Sequence, residues 1–158
     1  MDHQTFAQLL GNYGEFLGSI GVVATLIYLA IQIRHNAAMT KASIRQLRAD
    51  WAMDNANVFS NSDHLPAISL KIERGEELDE LETRRWLYYS QAWHRYGEVT
   101  LLQAKDGLVD EVIVDGMREA GRRMVATGNA LLHEWDLRKQ TMNLEYQAFI
   151  DEILEESQ

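Results

Sequence analysis

The distribution of apolar positions divides the chain at Arg34. From Phe16 to Ile33, FLGSIGVVATLIYLAIQI, eighteen residues pass without a charge. The run is apolar on every helical face, with only Ser19, Thr25, Tyr28 and Gln32 as polar interruptions. At helical rise eighteen residues reach about 27 Å, close to the roughly 30 Å of a bilayer's hydrocarbon core. Leu9, Leu10 and the stem of Arg34 can make up the difference. A spanning helix is expected.

Beyond Arg34 the pattern changes to mixed polar and apolar positions at spacings of three and four, and no Gly or Pro occurs between Gly21 and Pro66. The spanning helix is therefore expected to run on through Ser60, with Ile44, Leu47, Trp51, Asn55 and Val58 on one face. Ala42, Ala49, Met53 and Ala56 mark another. Asp63 with Pro66 predicts the start of a short helix that Gly75 closes. Asp79 and Glu82 read as a capping box opening a long helix over about 79–105, with Trp86, Tyr88, Tyr89, Trp93, Tyr96 and Val99 on several sides. Asp110 and Gly128 bracket a helix whose inward side is Ile113, Met117, Ala120 and Met124. A further helix is expected from Asn129 toward Thr141. The last starts at Asn143, with Leu144, Phe149, Ile150 and Leu154 inward. No segment alternates with period two for long enough to form a strand. The predicted fold is all-α: an N-terminal transmembrane helix continuing into a long helix, then a bundle of about five further helices. Residues 1–36 form the short N-terminal segment and anchor, and residues 37–158 the soluble bundle.

Charge gives the anchor a direction. Arg34, Lys41, Arg45 and Arg48 lie together with no acid among them, while residues 1–15 hold no Lys or Arg. The positive-inside rule then places the bundle in the cytoplasm and the N-terminus outside. The lack of a basic opening also reads as an uncleaved anchor rather than a secretory signal. The net charge of −9 arises wholly beyond residue 60, which argues against nucleic acid as a partner. The chain has no Cys, which removes thiolate chemistry and disulfides and fits a reducing compartment.

Within the anchor, Gly11, Gly14, Gly18, Gly21 and Thr25 follow at spacings of three and four, a stripe of small residues that includes a GxxxG pair. Close backbone approach over small residues drives helix association in lipid, so a homo-oligomer is expected, or pairing with another membrane protein. Glu15 and Gln32 are the polar groups at the two ends of the run, either functional or marking the interfaces.

Chemistry is sparse. His94 and Glu98 are four apart on one helix face, a spacing able to ligate a metal and more simply read as a link between the two side chains. His133, Glu134 and Asp136 form a second group. There is no Gly-rich phosphate loop, nucleophile elbow or HExxH motif. No enzyme activity and no cofactor are expected. The alternatives are a ligand-binding or sensory module built on the aromatic helix, or a small oligomeric pore with Glu15 or Gln32 on its axis.

The segment GEFLGSIGVVATLIYLAIQIRHN, Gly14 to Asn36, resembles the opening of a large uncharacterised family of bacterial proteins. Its members begin with a Gly-Glu pair, an apolar run and a YLAIQIRxN-like ending. RYGEVTLLQAKDGLVDE (Arg95 to Glu111), HEW (His133 to Trp135) and the last helix around Phe149 are similar in outline. The resemblance implies a single-pass protein of the bacterial inner membrane with a cytoplasmic helical domain, and implies no activity or catalytic residue.

Overall fold

The computed structural model describes residues 3–132 and 135–156. The chain divides into two compact units, Met1–Ser43 and Ile44–Gln158. Helix α1, His3–Ser60, runs through the boundary without interruption, as the absence of Gly and Pro after Gly21 predicts. The remaining helices are α2 (Leu65–Glu73), α3 (Glu80–Lys105), α4 (Glu111–Ala126), α5 (Trp135–Arg138) and α6 (Leu144–Glu156), with 3-10 turns at Ala130–Leu132 and Lys139–Thr141. Among the described residues there is no strand, and the fold is all-α.

In the first unit every residue from 11 to 40 is exposed. Leu17 and Ile33, near the two ends of the apolar run, keep 65% and 68% of their surface. Ser19 Oγ donates to the Phe16 carbonyl at 2.7 Å and Thr25 Oγ1 to the Gly21 carbonyl at 2.8 Å, so both hydroxyls are satisfied within the helix itself.

The second unit has two apolar clusters. One joins Trp135, Met142, Tyr146, Phe149, Ile150 and Ile153; the other joins Leu65, Ile68, Trp86 and Ala130. Helix α3 is central, packing against α2, α4 and α6. Two glycines let α6 sit close. A Cβ on Gly97 of α3 would stand 2.6 Å from the Tyr146 hydroxyl, and one on Gly121 of α4 would stand 3.0 Å from Ile153 Cδ1. No larger residue fits either position without movement.

Helix boundaries follow local chemistry. The capping box forms: the Asp79 carboxylate accepts from Glu82 N at 2.8 Å, and the Glu82 carboxylate accepts from Asp79 N at 3.0 Å. Gly75, Gly107 and Gly128 end α2, α3 and α4 with φ of 69°, 70° and 63°, the left-handed geometry of a helix C-terminus.

Several finer expectations are corrected. The start of α2 is capped by Ser62, whose Oγ accepts from His64 N and Leu65 N, and not by Asp63. Asp110 stands at the N-cap of α4 without a side-chain cap bond, and its carboxylate lies 3.8 Å from Arg45 instead. The described residues after Asn129 do not form one helix: Asn129 Oδ1 caps the 3-10 turn Ala130–Leu132 through Leu131 N, Trp135–Arg138 is α-helical and Lys139–Thr141 is again a 3-10 turn. The inward face of α1 beyond residue 43 is Ile44, Arg48, Trp51, Asn55 and Phe59, while Leu47 and Val58 are 64% and 57% exposed. On α3, Tyr88 and Val99 face out. The inward side of α4 is Val114, Met117, Gly121, Met124 and Val125, so Met117 and Met124 stand as expected while Ile113 and Ala120 are exposed. Leu144 is exposed, and Tyr146 and Ile153 fill α6's core positions. On α1 and α4 the corrected positions move the core stripe by one residue, which apolar spacing alone leaves open where several apolar residues adjoin.

Candidate functional site

Two places carry the sequence's candidates, one in each unit. In the first, no atom beyond the helix's own local backbone and adjoining residues lies within 4 Å of where a Cβ would stand on Gly11, Gly14, Gly18 or Gly21, so the small-residue stripe is open at its glycines. Thr25 continues it, its hydroxyl turned back onto Gly21. Glu15 and Gln32 are exposed at the two ends of the run. The helix meets the length and hydropathy of a membrane span: its most apolar eighteen-residue window has a mean hydropathy of 2.1 and no buried residue.

In the second unit His94 and Glu98 are both buried on α3, yet they do not bond to each other. Both ring nitrogens of His94 are engaged: Nε2 lies 2.9 Å from the Leu131 carbonyl and Nδ1 lies 3.2 Å from the Tyr146 hydroxyl. A carbonyl only accepts, so Nε2 carries the proton and Nδ1 accepts from the tyrosine. Burial pushes the imidazole down from 6.5 to about 4, the Arg138 charge adding to this and the Leu131 bond opposing it. His94 is therefore neutral at pH 7. Burial also raises the Tyr146 phenol above its ordinary range, with the Glu98 charge contributing. The pair is a buried neutral link between α3 and α6.

Glu98 works at the start of α6. Its Oε2 takes Arg95 Nη1 at 2.7 Å and its Oε1 accepts from Asn143 N, the residue before the helix. Arg95 Nη2 donates to the Thr141 carbonyl at 2.6 Å. A carboxylate at a helix N-terminus meets free N–H groups and the positive end of the dipole. The spacing of His94 and Glu98 thus serves two separate contacts to α6, and the expected link between them is not made. Both carboxylate oxygens and both ring nitrogens are occupied by protein groups. Among the described residues no group of three or more His, Asp and Glu converges. His133 and Glu134 lie outside the described residues. Asp136 pairs with Lys139 at 2.7 Å.

Sequence reasoning missed Tyr146, Arg138 and the pairing of Trp51 with Tyr96. The Trp51 and Tyr96 rings stack at 3.6 Å with planes 3° apart, and Arg48 lies over the same tyrosine while donating to Thr100 Oγ1 at 2.5 Å. Arg138 is buried and donates to the Leu87 carbonyl at 3.0 Å. The one available signal was the helical register of Arg48, Trp51 and Asn55, which places an arginine between apolar positions.

The described residues define an all-α protein with a small helical bundle and one helix long and apolar enough to cross a membrane. Comparison with protein-family models, curated proteins and solved structures finds no match for the chain.

Proposed function

We propose that the protein is a non-enzymatic, membrane-anchored interaction protein. It crosses the bacterial inner membrane once through Phe16–Ile33, holds its helical bundle in the cytoplasm, and self-associates along Gly11, Gly14, Gly18, Gly21 and Thr25. The observation that carries this reading is the complete exposure of an eighteen-residue uncharged run. An uncovered apolar surface of that length is unfavourable in water and suited to lipid. The internal bonding of Ser19 and Thr25 agrees with such a setting, because hydrocarbon offers a hydroxyl no other partner. The open glycine positions allow a second helix to approach the backbone closely. The basic residues from Arg34 to Arg48 support the orientation.

Cross-linking in native membranes tests the self-association. Oligomer bands are expected from the natural chain and their loss from Gly14→Leu with Gly18→Leu. Unchanged oligomers in the variant remove the stripe as the interface.

A further inference from the structure

Among its described residues the bundle contains a small, partly open apolar space that its contacts leave unfilled. A cavity of about 100 Å³ lies between four helices. Its walls include Trp51 of α1, Trp93 and Tyr96 of α3, Met117 and Met124 of α4 and Phe149 of α6. Among the described residues no charged side chain lines it. Trp51 and Tyr96 are the stacked pair described above. On the α4 side Ala120 is exposed and the two methionines are half-buried, so this wall reaches the surface.

Protein interiors are normally packed to crystal density, and a space lined by side chains forfeits their contacts on one side. Apolar cavities of about 150 Å³ stay dry and take up benzene. The present space is smaller, but two of its walls are methionines, unbranched side chains that adjust to an occupant's shape. Aromatic walls favour a flat ring, through offset or edge-to-face contact. The absence of a charged lining residue selects against ions, since a buried charge without a partner costs far more than such contacts return.

The geometry points to a binding site for a small uncharged aromatic molecule, one ring in size, between α1, α3, α4 and α6. Its occupant touches Trp51, so binding is felt directly by the helix that carries the apolar run. The site does not depend on the anchor reading, because every wall belongs to the unit Ile44–Gln158.

The test uses methionine-methyl NMR on the full chain in lipid nanodiscs, with benzene as probe and benzoate as its charged counterpart. Benzene is expected to shift the Met117 and Met124 methyl signals saturably, while those of Met39 and Met53, both exposed on α1, stay in place. Benzoate is expected to shift none. Ala120→Leu, which adds bulk to the cavity wall at an exposed position, is expected to weaken binding by about tenfold or more, the equivalent of a lost apolar contact. Absence of saturable shifts with benzene overturns the proposal. So do equal shifts at Met39 and Met53, which report partition onto exposed apolar surface, or equal binding of benzoate. If Ala120→Leu does not fold, the contrast between the two probes and the position of the shifted methyls still decide the outcome.

Discussion

The Tyr146 hydroxyl occupies the place where a side chain would begin at Gly97: a Cβ there would lie 2.6 Å from the oxygen and 3.0 Å from Tyr146 Cε2. The same hydroxyl lies 3.2 Å from His94 Nδ1, one turn earlier on α3. Glycine and histidine together thus fix α6 against α3, one by leaving room and the other by accepting a hydrogen bond. Gly97→Ala is expected to destabilise the bundle by about 1–3 kcal/mol, the usual effect of forcing extra volume into a packed contact. Chemical denaturation of Gly97→Ala, Tyr146→Phe and the double variant measures this. The two losses should not add, because without the hydroxyl the new methyl meets less. Additive losses would show that the two residues act separately.

Stability should fall in mild acid because of His94. Its folded value of about 4 lies below the ordinary 6.5, so between those values the unfolded chain binds the extra proton and the native chain does not. The contribution of the neutral imidazole is complete above about pH 6.5 and declines as pH drops toward 4, by at most about 1.4 kcal/mol per unit. Denaturation midpoints of the natural chain and His94→Gln across that window check it. The variant should be less stable at pH 7 and show a flatter dependence; parallel curves would exclude His94 as the source.

The two helix starts make a paired prediction. Asp79→Ala is expected to cost about 1 kcal/mol, since it removes half of a formed capping box. Ser62→Ala should cost a similar amount at α2, where the serine accepts from two backbone N–H groups. Asp63→Ala should change stability by no more than about 0.5 kcal/mol, as for surface positions away from specific contacts. Thermal unfolding of the three variants ranks them, and a larger loss at Asp63 than at Ser62 would contradict the observed cap.

Glu98→Gln should loosen the start of α6. The neutral amide keeps the size of the side chain but loses the ion pair with Arg95 and weakens the bond from Asn143 N. Removal of a charged partner from a buried contact costs about 1.5–3 kcal/mol. Hydrogen exchange should show faster exchange at Asn143 and in the first turn of α6, with α2 unaffected. Uniform acceleration across the bundle would mean that Glu98 supports the fold as a whole.

What the sequence discloses tracks how local each cause is. The unbroken α1, the capping box at Asp79 and the glycine stops at Gly75, Gly107 and Gly128 depend on neighbours a few residues away, and all are legible. The side of each helix that turns inward depends on partners far along the chain. Leu47 and Val58 had the right spacing, yet Arg48 and Phe59 hold the inward positions because Tyr96, Thr100 and Tyr89 stand opposite them. His94 and Glu98 share a face for reasons set by Tyr146, Leu131 and Asn143, and no spacing rule reaches that far. The break after Asn129 likewise follows from a side-chain cap on a 3-10 turn, which competes with helix at an asparagine.

The anchor is the claim on which the proposed function rests, and membrane fractionation with protease protection of a C-terminal tag tests it most directly. The expected result is a protein that resists extraction from the inner-membrane pellet by alkaline carbonate. Its tag should be shielded in spheroplasts and digested in inverted vesicles, the orientation that the positive-inside rule predicts from Arg34, Lys41, Arg45 and Arg48. Recovery in the soluble fraction would contradict the anchor, and digestion of the tag in intact spheroplasts would contradict its direction.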